Sequence, residues 1–155
     1  MPGMEEAPRI DPQRVLLAGH SSGGMTALFG AAVDTRVAAA VVSGSLGSIR
    51  ETVAARRADG GEGIVPGILD WFETDDVLTL IAPRPFAAVS GRRDHIYPAA
   101  AGTAVIAAAH RAWVTHGVKD MPTMLCGAGG HRIYSAELWR GIDALTVNWR
   151  KQAEK

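Results

Sequence analysis

Cysteine is nearly absent from the sequence, with Cys126 alone in 155 residues. An intrachain disulfide framework and any cysteine-rich zinc site are thereby excluded. Excess charge is also missing. Sixteen Lys and Arg face sixteen Asp and Glu, a formal net charge of zero. Nucleic acids and anionic membranes select for a basic face, so neither is an expected partner. No apolar run reaches the ~20 residues that span a bilayer. Met1–Arg9 carries two Glu and two Pro around no apolar core, unlike a signal peptide, which gives a cytoplasmic expectation. No two of the five histidines stand at H-x-x-x-H or comparable ligand spacing, so no metal and no cofactor is expected. What remains is 47% hydrophobic and 21% charged, the balance of an ordinary globular domain. One domain over 1–155 is expected, with 1–10 as its lead-in.

Four short apolar runs read as strands: Val15–Ala18, Val37–Val42, Phe86–Val89 and Thr123–Cys126. None alternates apolar with polar, the pattern of strands buried on both faces of a parallel sheet. Helical stretches fall between them. Gly23–Val33 is built of small residues, and Asp75–Ile81 follows Thr74 as a candidate N-cap. Ala99–His116 starts after Pro98 and stops at Gly117, the usual asymmetry of helix ends. The last helix runs from Ser135 as N-cap to about Gln152, with Leu138, Ile142, Leu145 and Trp149 on one stripe. Strands alternating with helices predict an α/β fold with a mainly parallel sheet of about four strands. The stretch 45–73 breaks this rhythm. Its glycines, prolines and apolar Ile64, Leu69, Trp71 and Phe72 read either as a lid or binding loop, or as a surface excursion tucked onto the body.

Gly19-His20-Ser21-Ser22-Gly23 fits G-x-S-x-G. It directly follows a predicted strand and precedes a small-residue helix, the setting of a nucleophile elbow. Such a turn strains the serine, and glycines on both sides are expected to prevent collisions. A serine hydroxyl is a weak nucleophile at neutral pH and requires a base oriented by an acid. Candidates for both follow strands: Asp94 after Phe86–Val89, and His131 after Thr123–Cys126. Loops at the carboxyl ends of parallel strands share one edge of the sheet, so Ser21, Asp94 and His131 are predicted to meet there. Their order, Ser then Asp then His, is that of the α/β-hydrolase sheet. Asp94 could instead cap the turn into the Pro98 helix. His20 is expected to point away from the serine, His95 to shape its loop, and His110 and His116 to lie at the surface or pack on the long helix.

Asp11–Val15 followed by Gly19-His20-Ser21-Ser22-Gly23-Gly24 resembles the α/β-hydrolase superfamily. Ile81-Ala82-Pro83-Arg84-Pro85-Phe86, leading to Gly91 and Asp94, resembles its dienelactone-hydrolase and acetyl-xylan-esterase-like branch. The resemblance covers about Asp11 to Trp149. It implies hydrolysis of small carboxylic esters through an acyl-enzyme. Ser21 would be nucleophile, His131 general base and then acid, Asp94 its orienting carboxylate, and the Ser22 N–H an oxyanion donor. Gly63–Asp76 resembles a segment near the substrate in this branch, which makes Ile64, Leu69, Trp71 and Phe72 candidate substrate-binding residues. The family's strands before the elbow have no counterpart in the twenty residues ahead of Ser21. The expectation is therefore a truncated α/β-hydrolase with half an oxyanion hole, and slow turnover at best. Val15–Ala18 would be an unpaired edge that drives homo-oligomer formation or takes a partner chain. Two other readings stay open: a non-catalytic association module that keeps the elbow, and a prolyl-oligopeptidase-like catalytic fragment.

Overall fold

Neighbouring residues of the two central strands are apolar because each face of the sheet has its own core. The computed structural model describes residues 11–55 and 65–153. Its elements are β1 (Val15–His20), α1 (Ser22–Val33), β2 (Val37–Ser43), α2 (Ile49–Ala54), a 3₁₀ turn (Ile68–Asp70), α3 (Thr74–Thr79), β3 (Phe86–Gly91), α4 (Ala99–Thr115), β4 (Thr123–Gly127) and α5 (Ser135–Ala153). All four strands are parallel, in the order β1-β2-β3-β4. On one face Ala40, Val42, Phe86 and Ala88 pack with Leu28 of α1, Leu78 of α3 and Val105 and Trp113 of α4. On the other, Ala39, Val41, Ala87 and Val89 pack under α5 through Leu138, Ile142, Leu145 and Trp149. Period-two side-chain direction on a doubly covered sheet thus accounts for the absence of alternation in the sequence. Among the described residues β1 pairs only with β2 and β4 only with β3, so these two form the edges.

Each strand extends a little beyond its apolar run, because polar and glycine residues at the carboxyl ends still pair. The extended ends deliver the loops of interest. α4 terminates as predicted: Gly117 has φ 79°, the Val118 N–H donates to the Trp113 carbonyl at 3.0 Å and the Gly117 N–H to that of Val114 at 2.9 Å, a left-handed cap. Two predicted caps are displaced. Glu73, not Thr74, caps α3, in a reciprocal box with Asp76, and Ser135 is the first residue of α5 instead of its cap.

Glu73 organises the irregular stretch. Its carboxylate accepts the N–H of Ile49 at 2.6 Å, Arg50 at 3.1 Å and Thr74 at 2.7 Å, and the Ser48 hydroxyl at 3.0 Å. One side chain therefore satisfies the amino ends of both α2 and α3. Burial opposes its ionisation, but these hydrogen bonds outweigh burial and hold its pKa below the ordinary 4.5. No described helix is long and apolar enough to cross a membrane.

Candidate active site

Ser21 lies between β1 and α1 with φ 55° and ψ −123°. It is the one non-glycine residue at positive φ among the described residues, a conformation costing about 1–3 kcal/mol that surrounding structure must enforce. The enforcement is visible. The Ser21 N–H donates to the Ser43 carbonyl at 2.8 Å, and the Ser21 carbonyl accepts from Gly24 at 2.8 Å and Met25 at 3.0 Å. A Cβ on Gly19 would stand 2.1 Å from the Gly23 carbonyl oxygen, so clearance before the serine is required. The clearance expected at Gly23 is not: a Cβ there meets nothing within 4 Å. Gly24 carries that constraint, because α1 lies directly on Ser45 and a Cβ would fall 2.1 Å from its Oγ.

The structure brings the three predicted polar residues together. His131 Nε2 is 3.1 Å from Ser21 Oγ, and His131 Nδ1 is 2.9 Å from Asp94 Oδ2. Asp94 is 3% exposed, and its Oδ1 also accepts the N–H groups of Ile96 and Tyr97, each at 2.9 Å. The two readings of Asp94 are thus joined: one oxygen shapes the turn while the other takes the imidazole. A carboxylate that accepts the Nδ1 proton leaves Nε2 to receive the serine O–H. Ser22 opens α1 immediately after Ser21, in the position expected of an oxyanion donor.

One expectation is corrected around this chain of groups. His20 does not point away. Its ring centroid lies 4.9 Å from that of His131 at 34°, and its Nδ1 is 3.1 Å from Ser43 Oγ. Alternation along a strand would separate neighbouring side chains, but the positive φ of Ser21 ends that alternation. The glycine run before His131 is closely packed: a Cβ on Gly127 would meet the Tyr134 ring at 2.1 Å. The Tyr134 hydroxyl donates to the Gly130 carbonyl at 2.8 Å. Tyr97, 6.4 Å from His131 ring to ring, also joins the site. It and Tyr134 left no motif in the sequence; only tertiary packing reveals them.

The candidate substrate-binding residues scatter. Trp71 is 86% exposed. Phe72 packs on the core and edge-on to Phe29 at 6.4 Å, lining with Ala32, Val77 and Leu80 an apolar cavity of about 330 Å³. Leu69 lines another, of about 300 Å³, with Ile49, Val53 and Ile68. Neither cavity has a lining contact from Ser21 or His131. Ile64 lies outside the described residues, as do the lead-in residues 1–10. No group of three potential metal ligands occurs among the described residues.

A glucuronoyl esterase of carbohydrate esterase family 15 from Caldicellulosiruptor kristjansonii superimposes with TM-score 0.78 over 94% of this chain and 45% of its own, at 19% identity. The fold is that of an α/β hydrolase, in part. An acylaminoacyl peptidase of Pyrococcus horikoshii shares it more distantly, with TM-score 0.58, 10% identity, and 90% of this chain against 24% of its own. In sequence, the Bacillus subtilis (strain 168) protein named "Putative hydrolase YtaP" is 26% identical over 130 residues, 83% of this chain and 44% of that protein. The chain therefore spans less than half the length of these relatives. No family model matches the sequence.

Proposed function

We propose that this chain carries a serine hydrolase centre that cleaves small carboxylic esters through an acyl-enzyme. The observation that carries the proposal is the continuous link from Ser21 Oγ through His131 to the buried Asp94 carboxylate, at 3.1 and 2.9 Å, beginning at a serine held in a strained turn. Strain at a non-glycine residue persists only where something enforces it, which favours this reading over a glycine-rich turn with an incidental serine. The esterases among the structural relatives and the hydrolase named in sequence agree with it.

In the reaction, Ser21 Oγ attacks the ester carbonyl carbon as its proton passes to His131 Nε2. The carbonyl oxygen becomes an oxyanion that accepts the Ser22 N–H. Collapse breaks the bond to the alcohol oxygen, which takes the proton from His131. Water then attacks the acyl-enzyme with its proton going to His131, and the acid departs as that proton returns to Ser21. Asp94 holds the tautomer throughout and stabilises the imidazolium. The residues Ile81–Phe86 and Gly91–Asp94 favour the dienelactone-hydrolase and acetyl-xylan-esterase-like branch within this reading. The outer edge of β1, unpaired among the described residues, takes a further strand, from a second copy or another polypeptide, beside the elbow. A monomer by light scattering at micromolar concentration would remove the self-association form of that statement.

Hydrolysis of p-nitrophenyl acetate and butyrate by wild type and Ser21→Ala tests the reaction. Wild type should turn over both esters and Ser21→Ala neither above background. Equal rates would overturn the proposal.

A further inference from the structure

We infer that His20 is a positioning residue for the reactive imidazole, acting through the face of its ring; the inference rests on the reading of Ser21 and His131 given above. His131 is held at two atoms, Nδ1 by Asp94 and Nε2 by Ser21. Those two hydrogen bonds lie in the ring plane on opposite sides, so they resist translation but leave libration about the line joining them. A ring against its face limits that libration, and misalignment of about 1 Å can cost on the order of 100-fold in rate. The His20 ring centroid lies 4.9 Å from that of His131, with the two rings tilted by 34°.

His20 is itself anchored where the nucleophile is anchored. Ser43 sits at the end of β2, is fully buried, holds His20 Nδ1 with its hydroxyl and holds the Ser21 N–H with its carbonyl. Nucleophile and ring are thus referred to one rigid residue. Gly44 keeps the space between them open. Its φ is +58°, and a Cβ there would lie 2.8 Å from His20 Cε1 and 3.2 Å from His131 Cε1.

A second imidazole beside an imidazolium is useful only if it stays neutral. Burial and then the charge of His131 lower the His20 pKa below the ordinary 6.5, against smaller opposing effects of Asp94 and the Ser43 contact. His131 and Asp94 are the ionisable groups acting on it, one from the loop after β4 and one from the loop after β3; β2 contributes the uncharged Ser43. At neutral pH His20 is therefore a wall without charge.

The test is the rate at which a fluorophosphonate labels Ser21 at neutral pH in wild type, His20→Phe, His20→Asn and Ser21→Ala. Asn keeps hydrogen-bond reach to Ser43 without a ring; Phe keeps a ring without the hydrogen bond or the charge. Labelling of His20→Asn should be slower by roughly 10- to 100-fold, and His20→Phe should recover most of that loss. A His20→Asn protein that labels at the wild-type rate, or a His20→Phe protein that labels as slowly as His20→Asn, overturns the role of His20 while leaving the nucleophile in place. Wild type that labels no faster than Ser21→Ala overturns the nucleophile itself, and the role of His20 with it.

Discussion

The loops after β1, β3 and β4 and the stretch 45–73 leave the same edge of the sheet, yet they are built on different principles. In the loops, backbone groups grip each polar side chain or its neighbours. Ser21 is tied to Ser43, Asp94 receives two N–H groups from its own turn, and the Arg92 and Arg93 N–H groups donate to the Gly127 and Gly129 carbonyls at 2.9 Å each. In the stretch, a single carboxylate, Glu73, holds α2 and α3, while burial alone sorts the apolar residues. Phe72 turns inward to Phe29 and Trp71 turns out to solvent, although they are neighbours. Chemistry specified by hydrogen bonds is fixed locally. Apolar side chains go wherever area can be buried.

If that contrast holds, substitutions in the two regions should separate activity from stability. Asp94→Asn should have the largest effect, a fall of about 10⁴ in ester turnover with the fold retained, because an amide cannot hold the productive imidazole tautomer. Steady-state hydrolysis with a far-UV dichroism control measures it. Phe72→Ala comes next, at about 2 kcal/mol of stability for a partly buried aromatic. Its esterase rate at 25 °C should stay within about twofold, since the cavity Phe72 lines is not lined by Ser21 or His131; urea unfolding reads the loss.

Glu73→Gln should destabilise by about 1–2 kcal/mol at neutral pH, the scale of a helix-cap loss. The sign of its pH dependence follows from the lowered pKa. A carboxyl that ionises more readily when folded adds stability above the ordinary 4.5 and loses it as the pH falls through the folded value. The gap between Glu73→Gln and wild type should therefore narrow below about pH 4.5 in parallel urea titrations. Trp71→Ala should be the smallest change, within about 0.5 kcal/mol and with unaltered turnover. A substantial loss of activity there would place Trp71 at the substrate and dissolve the contrast.

The same division explains what could be read from the sequence. Unalternating runs such as Val37–Val42 gave the doubly covered sheet, and the stripe Leu138–Trp149 gave the helix beneath it. Ser21, Asp94 and His131 were legible because each follows a strand whose carboxyl end shares one edge, which is a matter of topology. The destinations of Leu69, Trp71 and Phe72 were not, since apolar character favours burial but fixes neither which residue achieves it nor against what. His20 was misread because strand alternation holds only while φ stays negative, and Ser21 breaks it. The clearance expected at Gly23 falls instead at Gly24, because the crowding comes from Ser45, twenty-one positions along the chain from Gly24 and visible only once β2 is set beside β1.

The most direct measurement is peptide mapping by mass spectrometry after fluorophosphonate treatment of wild type and His131→Ala. The account predicts one adduct, on the peptide containing Ser21, formed by wild type and essentially lost in His131→Ala. An adduct elsewhere, or equal modification of Ser21 in both proteins, would contradict it.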